Sequence, residues 1–148
     1  RSHCMDKAQQ SYEQEKQPHM LELASSYVER LTGERYTLDI LGINKGVALI
    51  NNNGERLELK FWSSGLADQV YLALRLALAK VFSYQVESLP IILDDILVRF
   101  DENRQRSALE LLAELGKNQQ IWLFTCQRSV YDMAQSIMGI DCHRLSRS

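Results

Sequence analysis

Only two of the 148 residues are proline, seven are glycine and three are cysteine. So little glycine and proline excludes a collagen-like repeat and a low-complexity linker. Cys4, Cys126 and Cys142 are odd in number and far apart, which argues against a disulfide framework and fits a reducing compartment. No apolar run approaches the roughly 18 residues of a membrane-spanning helix. No secretory signal pattern is visible, and a cytoplasmic protein is expected. Excess positive charge is missing too. The 17 Lys and Arg face 19 Asp and Glu, a formal charge of −2. That excludes a generally basic surface for nucleic acid but leaves room for a local patch. A further absence is chemical. A phosphate-gripping Gly-x-x-x-x-Gly-Lys-Ser/Thr loop needs a Lys followed by a hydroxyl residue. The sole Gly-Lys pair, Gly116-Lys117, is followed by Asn118. What remains, 45% apolar and 24% charged, suits one globular domain.

Arg1–Met5 read as a cloning remnant and stay outside the fold argument. Residues 6–17 are polar on every side, so they form a solvated or frayed helix. Pro18 suits the first turn of a new helix, in which Met20, Ala24, Tyr27, Val28 and Leu31 recur at helical spacing and Gly33 is the stop. Strand-like segments follow at 36–41, 47–50 and 57–61, with Asn51-Asn52-Asn53-Gly54 as a turn. They predict a small antiparallel meander. From Leu66 to Tyr84 so few polar residues occur that the helix is largely buried. Ile91-Ile92-Leu93 after Pro90 looks like a strand covered on both faces, as in parallel sheets. An amphipathic helix over 102–115 closed by Gly116, a strand over 121–125, a helix over 129–138 and an edge strand over 142–145 complete the reading. Strand, helix, strand, helix is a βαβ pattern, so the class is α/β, a parallel sheet with flanking helices plus the meander.

Ligands of open α/β sheets bind beyond the carboxyl ends of the strands, where Asp94 and Asp95 stand. One reading is a solvated turn with two mutually repelling acids. The other is a hard-cation site: the first Asp holds Mg²⁺ directly or through water, and the second orients an attacking water. Ser63-Ser64-Gly65 precedes the buried helix. It is either a plain N-cap or an anion site, because free N–H groups and the helix dipole favour negative charge there. Asp68, expected in the first turn, tips slightly toward the cap.

The order of these features carries more than any one of them. Ser63-Ser64-Gly65-Leu66-Ala67-Asp68-Gln69 resembles the signature motif of ABC-type ATPases. Leu89-Pro90-Ile91-Ile92-Leu93-Asp94-Asp95 resembles Walker B, Val98-Arg99-Phe100-Asp101 the D-loop, and Phe124-Thr125-Cys126-Gln127 stands at the H-loop. The chain resembles the C-terminal half of a P-loop-NTPase-like ABC ATPase head, in the branch of SMC, RecF and SbcC (Rad-fifty-like) proteins. Within it, residues 17–36 and 68–77 most resemble the bacterial YhaN proteins. The resemblance implies that residues 6–17 end a coiled-coil stalk and 18–148 form the C-terminal lobe of the head. It implies ATP and Mg²⁺ as cofactors, with Asp94 on the metal, Asp95 and Gln127 catalytic, and Ser63, Ser64, Gly65, Gln69 and Asp101 binding nucleotide. The implied partners are the N-terminal Walker A half of the same protein, a second head, DNA and a nuclease subunit, with no membrane and with DNA repair or maintenance as the setting. Two departures stand out. Asp95 replaces the usual Glu, and Gln127, which carries no charge and shuttles no proton, replaces the usual His. The resemblance implies that the branch tolerates the shorter Asp95, while Gln127 predicts slow hydrolysis.

Two other readings compete. One is an ABC-like dimerisation module with little or no turnover. The other is a small α/β hydrolase or phosphotransferase using Asp94, Asp95 and a metal, against which the missing nucleophile motif and Gly-rich loop count. His19 reads as a surface residue, and Cys126, Cys142 and His143 lack metal-ligand spacing. Arg75, inside the apolar helix, needs a partner, by default an acid. Arg99 and Arg104 flank the D-loop position as candidate interface or DNA contacts.

Overall fold

The first helix, α1, spans residues 19–32 and buries the predicted stripe of Ala24, Tyr27, Val28 and Leu31. It stops at Gly33, whose φ of +77° is left-handed and whose N–H donates to Glu29 O at 2.9 Å. That bond closes the helix end, and glycine takes the conformation without a Cβ penalty. The computed structural model describes residues 19–40, 46–83 and 89–145. The expected stalk at 6–17 and the role of Pro18 lie outside them.

Strands β1 (Thr37–Ile40), β2 (Val47–Ile50) and β3 (Arg56–Glu58) form the antiparallel meander in that order. Register sets Leu38 opposite Leu49 and Leu49 opposite Leu57, so one row of leucines lines one face. The β2–β3 turn is tied by Asn51, whose Oδ1 accepts from the N–H groups of Asn53 and Glu55. The Ser25 hydroxyl accepts from Leu38 N–H at 3.0 Å and joins α1 to β1. β3 is shorter than predicted. Leu59–Phe61 form a 3-10 turn, with Trp62 N–H donating to Leu59 O and the Trp62 indole to Leu57 O. The alternation over 57–61 therefore misled, since Leu59 and Phe61 are both exposed. Helix α2 spans Ser64–Ser83, starting two residues before the apolar stretch, which moves Asp68 out of the first turn.

The chain divides into two compact units at Gln85 and Val86. In the second, β4 (Ile91–Asp94) and β5 (Ile121–Phe124) pair in parallel, with Ile91 opposite Ile121 and Asp94 opposite Phe124. Helix α3 (Glu102–Leu115) is the crossover between them, and α4 (Arg128–Gln135) packs against it. One expectation needs correction. Leu93 is fully buried, but Ile92 is 57% exposed, Trp122 46% and Phe124 42%. An apolar run therefore encodes two buried faces, whereas in this chain only one is covered. Residues 141–145 form no strand. No described helix is long and apolar enough to cross a membrane.

Candidate functional site

Asp94 is the last residue of β4 and is exposed. Asp95 extends the ladder by one bond, its N–H donating to Phe124 O at 2.7 Å. Its φ of +53° is left-handed, a region Asp tolerates better than most residues. The chain turns there, and the turn is pinned from inside. Leu97 and Phe100 are buried, Phe100 N–H donates to Leu97 O, and the buried Gln105 amide donates to the same carbonyl at 3.1 Å.

At the end of β5, two consecutive residues meet this turn. Cys126 Sγ lies 3.4 Å from Asp95 Oδ2, and Thr125 Oγ1 lies 3.5 Å from Asp95 Oδ1. Thr125 Oγ1 also accepts from Gln127 N–H at 3.1 Å. The hydrogen bond to Asp95, and then its negative charge, raise the Cys126 thiol above its ordinary pKa, so it stays protonated and a donor at neutral pH. Gln127 starts α4 without a side-chain capping bond, and its buried Oε1 has no protein partner. Asp94, Asp95 and Gln127 thus share one end of the parallel pair. Thr125 and Cys126 join them unforeseen. No local sequence signal marks them, because the contact depends on the register of β5 on β4.

Asp101 caps α3, its Oδ1 accepting from Arg104 N–H at 2.8 Å while Arg104 Nε lies 3.6 Å from Oδ2. Its carboxylate is thus engaged locally in this conformation. In the first unit, Ser63 caps α2: Oγ accepts from Leu66 N–H at 3.1 Å, and Ser63 O accepts from Ala67 N–H. The hydroxyl keeps its own hydrogen for a further acceptor. Ser64 and Gly65 open the helix. Gln69 is fully buried and its Nε2 donates to Leu31 O at 2.9 Å, so in this chain it braces α1. Arg75 lies 5.9 Å from the Tyr71 ring centroid.

Among the described residues no group of three or more His, Cys, Asp or Glu could hold a metal unaided. One exposed carboxylate at a strand end still fits Mg²⁺, which commonly takes one or two carboxylates and fills its shell with phosphate oxygens and water.

No protein-family model matches the chain. A solved SMC head domain from Thermotoga maritima superposes with a TM-score of 0.60 over 78% of this chain and 40% of that one, at 20% identity. This chain has the fold of an SMC head lobe. A second SMC ATPase structure, from work on ATP-driven dimerisation and DNA-stimulated activation, matches with a TM-score of 0.64 at 16% identity, over 79% of this chain and 73% of that one. In sequence, the uncharacterized protein YhaN of Bacillus subtilis is 34% identical over 122 residues, 80% of this chain. The chain spans only 12% of that relative's length.

Proposed function

We propose that this SMC-like lobe is the C-terminal half of an ATPase head, hydrolysing ATP once the Walker A half and a second head complete the site. The observation that carries this reading is the Asp94-Asp95 pair at the carboxyl end of β4, beside the Thr125–Gln127 end of β5. In the reaction a water oxygen bonds to the γ-phosphorus, the bond to the β,γ-bridging oxygen breaks, ADP leaves with that electron pair, and of the two water protons one stays on the released phosphate and one passes to solvent. Asp94 would hold Mg²⁺, which would supply charge neutralisation on the phosphates. Asp95 accepts a hydrogen bond from the attacking water and fixes its direction. Gln127 donates to the γ-phosphate but carries no proton away, so turnover is slow. Ser63, Ser64 and Gly65 present a hydroxyl and helix N-terminal N–H groups to the γ-phosphate of the opposite head. A second head is therefore one partner. DNA is another, by likeness to the DNA-stimulated SMC ATPase.

The exposed face of Ile92, Trp122 and Phe124 supports a sheet completed by the Walker A half. The test is ATP turnover by this chain alone and together with that half. Turnover only in combination, abolished by Asp94→Ala, supports the reading; turnover by the chain alone overturns it. The neutral Gln127 and short Asp95 favour one second reading, a dimerisation module without turnover. Asp95→Asn separates the two: it lowers the rate of an ATPase and leaves a module's dimerisation unchanged.

A further inference from the structure

We propose that Cys126 is a positioning residue for Asp95, its thiol holding one carboxylate oxygen while Thr125 holds the other. The inference rests on the ATPase reading of Asp95 and deepens it. The geometry is specific. Cys126 Sγ sits 3.4 Å from Oδ2, hydrogen-bond length for sulfur, and Thr125 Oγ1 sits 3.5 Å from Oδ1, at the long limit for a hydroxyl. The backbone adds a third tie, Asp95 N–H to Phe124 O at 2.7 Å. Sulfur is larger than oxygen, so 3.4 Å is a normal length for a thiol donor.

The Thr125 oxygen also accepts from Gln127 N–H at 3.1 Å, which leaves its own hydrogen able to reach Asp95. Thr125 Oγ1 thus stands between the Gln127 peptide and the Asp95 carboxylate. A carboxylate turns freely about its last bond unless both oxygens are engaged. Asp95 is one methylene shorter than glutamate, so an error in its direction is harder to absorb by bending the side chain. The clamp sets that direction.

Two measurements test the clamp. The first uses this chain and no nucleotide. Alkylation of Cys126 by iodoacetamide, followed by peptide mass, is compared in wild type and in Asp95→Ala, with Cys142 as the internal control. Asp95→Ala should alkylate Cys126 several-fold faster while Cys142 is unchanged; an unchanged Cys126 rate overturns the contact. If Asp95→Ala speeds both thiols, its fold is lost and Asp95→Asn, which keeps the size and removes the charge, decides by the same rule.

The second measurement uses the complete head. Cys126→Ala should lower kcat by about tenfold, within the range of misplaced catalytic groups, with KM for ATP little changed. Cys126→Ser, which keeps a donor, should recover most of the rate. Wild-type kcat in Cys126→Ala overturns the positioning role. Absence of turnover in the wild-type head would sink the ATPase reading, whereas the alkylation result still decides the clamp.

Discussion

The side-chain amide of Gln69 donates to the backbone carbonyl of Leu31 across 38 residues of sequence, joining the start of α2 to the end of α1. Gln69 is fully buried and its Oε1 has no protein partner, so the site is tuned for a neutral donor. Gln69→Glu removes that donor and buries an acid. At neutral pH it should destabilise the chain by about 3 kcal/mol or more, as an uncompensated buried charge does. Burial raises the pKa of the new carboxyl in the folded state, so the native chain binds the proton more tightly. Stability should therefore be best below the unfolded Glu value of about 4.3 and fall as pH rises through the folded value. Urea unfolding across pH reads this directly; a pH-independent loss would contradict it.

Asp101 serves α3 as its N-cap through Arg104 N–H. Asp101→Ala should cost about 0.5–2 kcal/mol in unfolding free energy, and Asp101→Asn or Asp101→Ser much less. If head dimerisation also tolerates Asn but not Ala, the cap accounts for the residue. If Asn fails in dimerisation while stability is kept, the carboxylate acts at the head interface.

Trp122 is 46% exposed on the open face of β5, beside Ile92 on β4. Adding the Walker A half should bury this face and blue-shift the emission of Trp122, measured against Trp122→Phe to remove the contribution of Trp62. An unshifted spectrum on formation of the complex would place the other half elsewhere.

The fold was legible wherever one segment carried its own pattern. α3 reads from the amphipathic pattern over 102–115 and from Gly116 as its end, and the structure returns Glu102–Leu115 with Gly116 as the cap. The end of β3 was not legible, because an alternating pattern cannot reveal that Leu59 and Phe61 turn outward. Residues 142–145 were too few and too polar to fix a strand. At the site, Asp94 and Asp95 could be named from a strand end alone. The Cys126 and Thr125 contacts needed the register of β4 on β5, which joins residues about thirty apart and which no local pattern encodes. The bracing role of Gln69 was hidden for the same reason, since its partner is a backbone carbonyl on another element.

In the proposed head, Ser63-Ser64-Gly65 closes a nucleotide site on a second head. Ser63 caps α2 yet keeps a hydrogen to donate, so an arginine there would fill the approach to the helix end without touching the core. The deciding measurement is the ATP-dependent mass of the complete head, by light scattering, for wild type and Ser63→Arg. Wild type should become a dimer with ATP, while Ser63→Arg stays monomeric with its nucleotide affinity nearly intact. Ser63→Arg that dimerises with ATP as wild type does would leave Ser63 as a helix cap and nothing more.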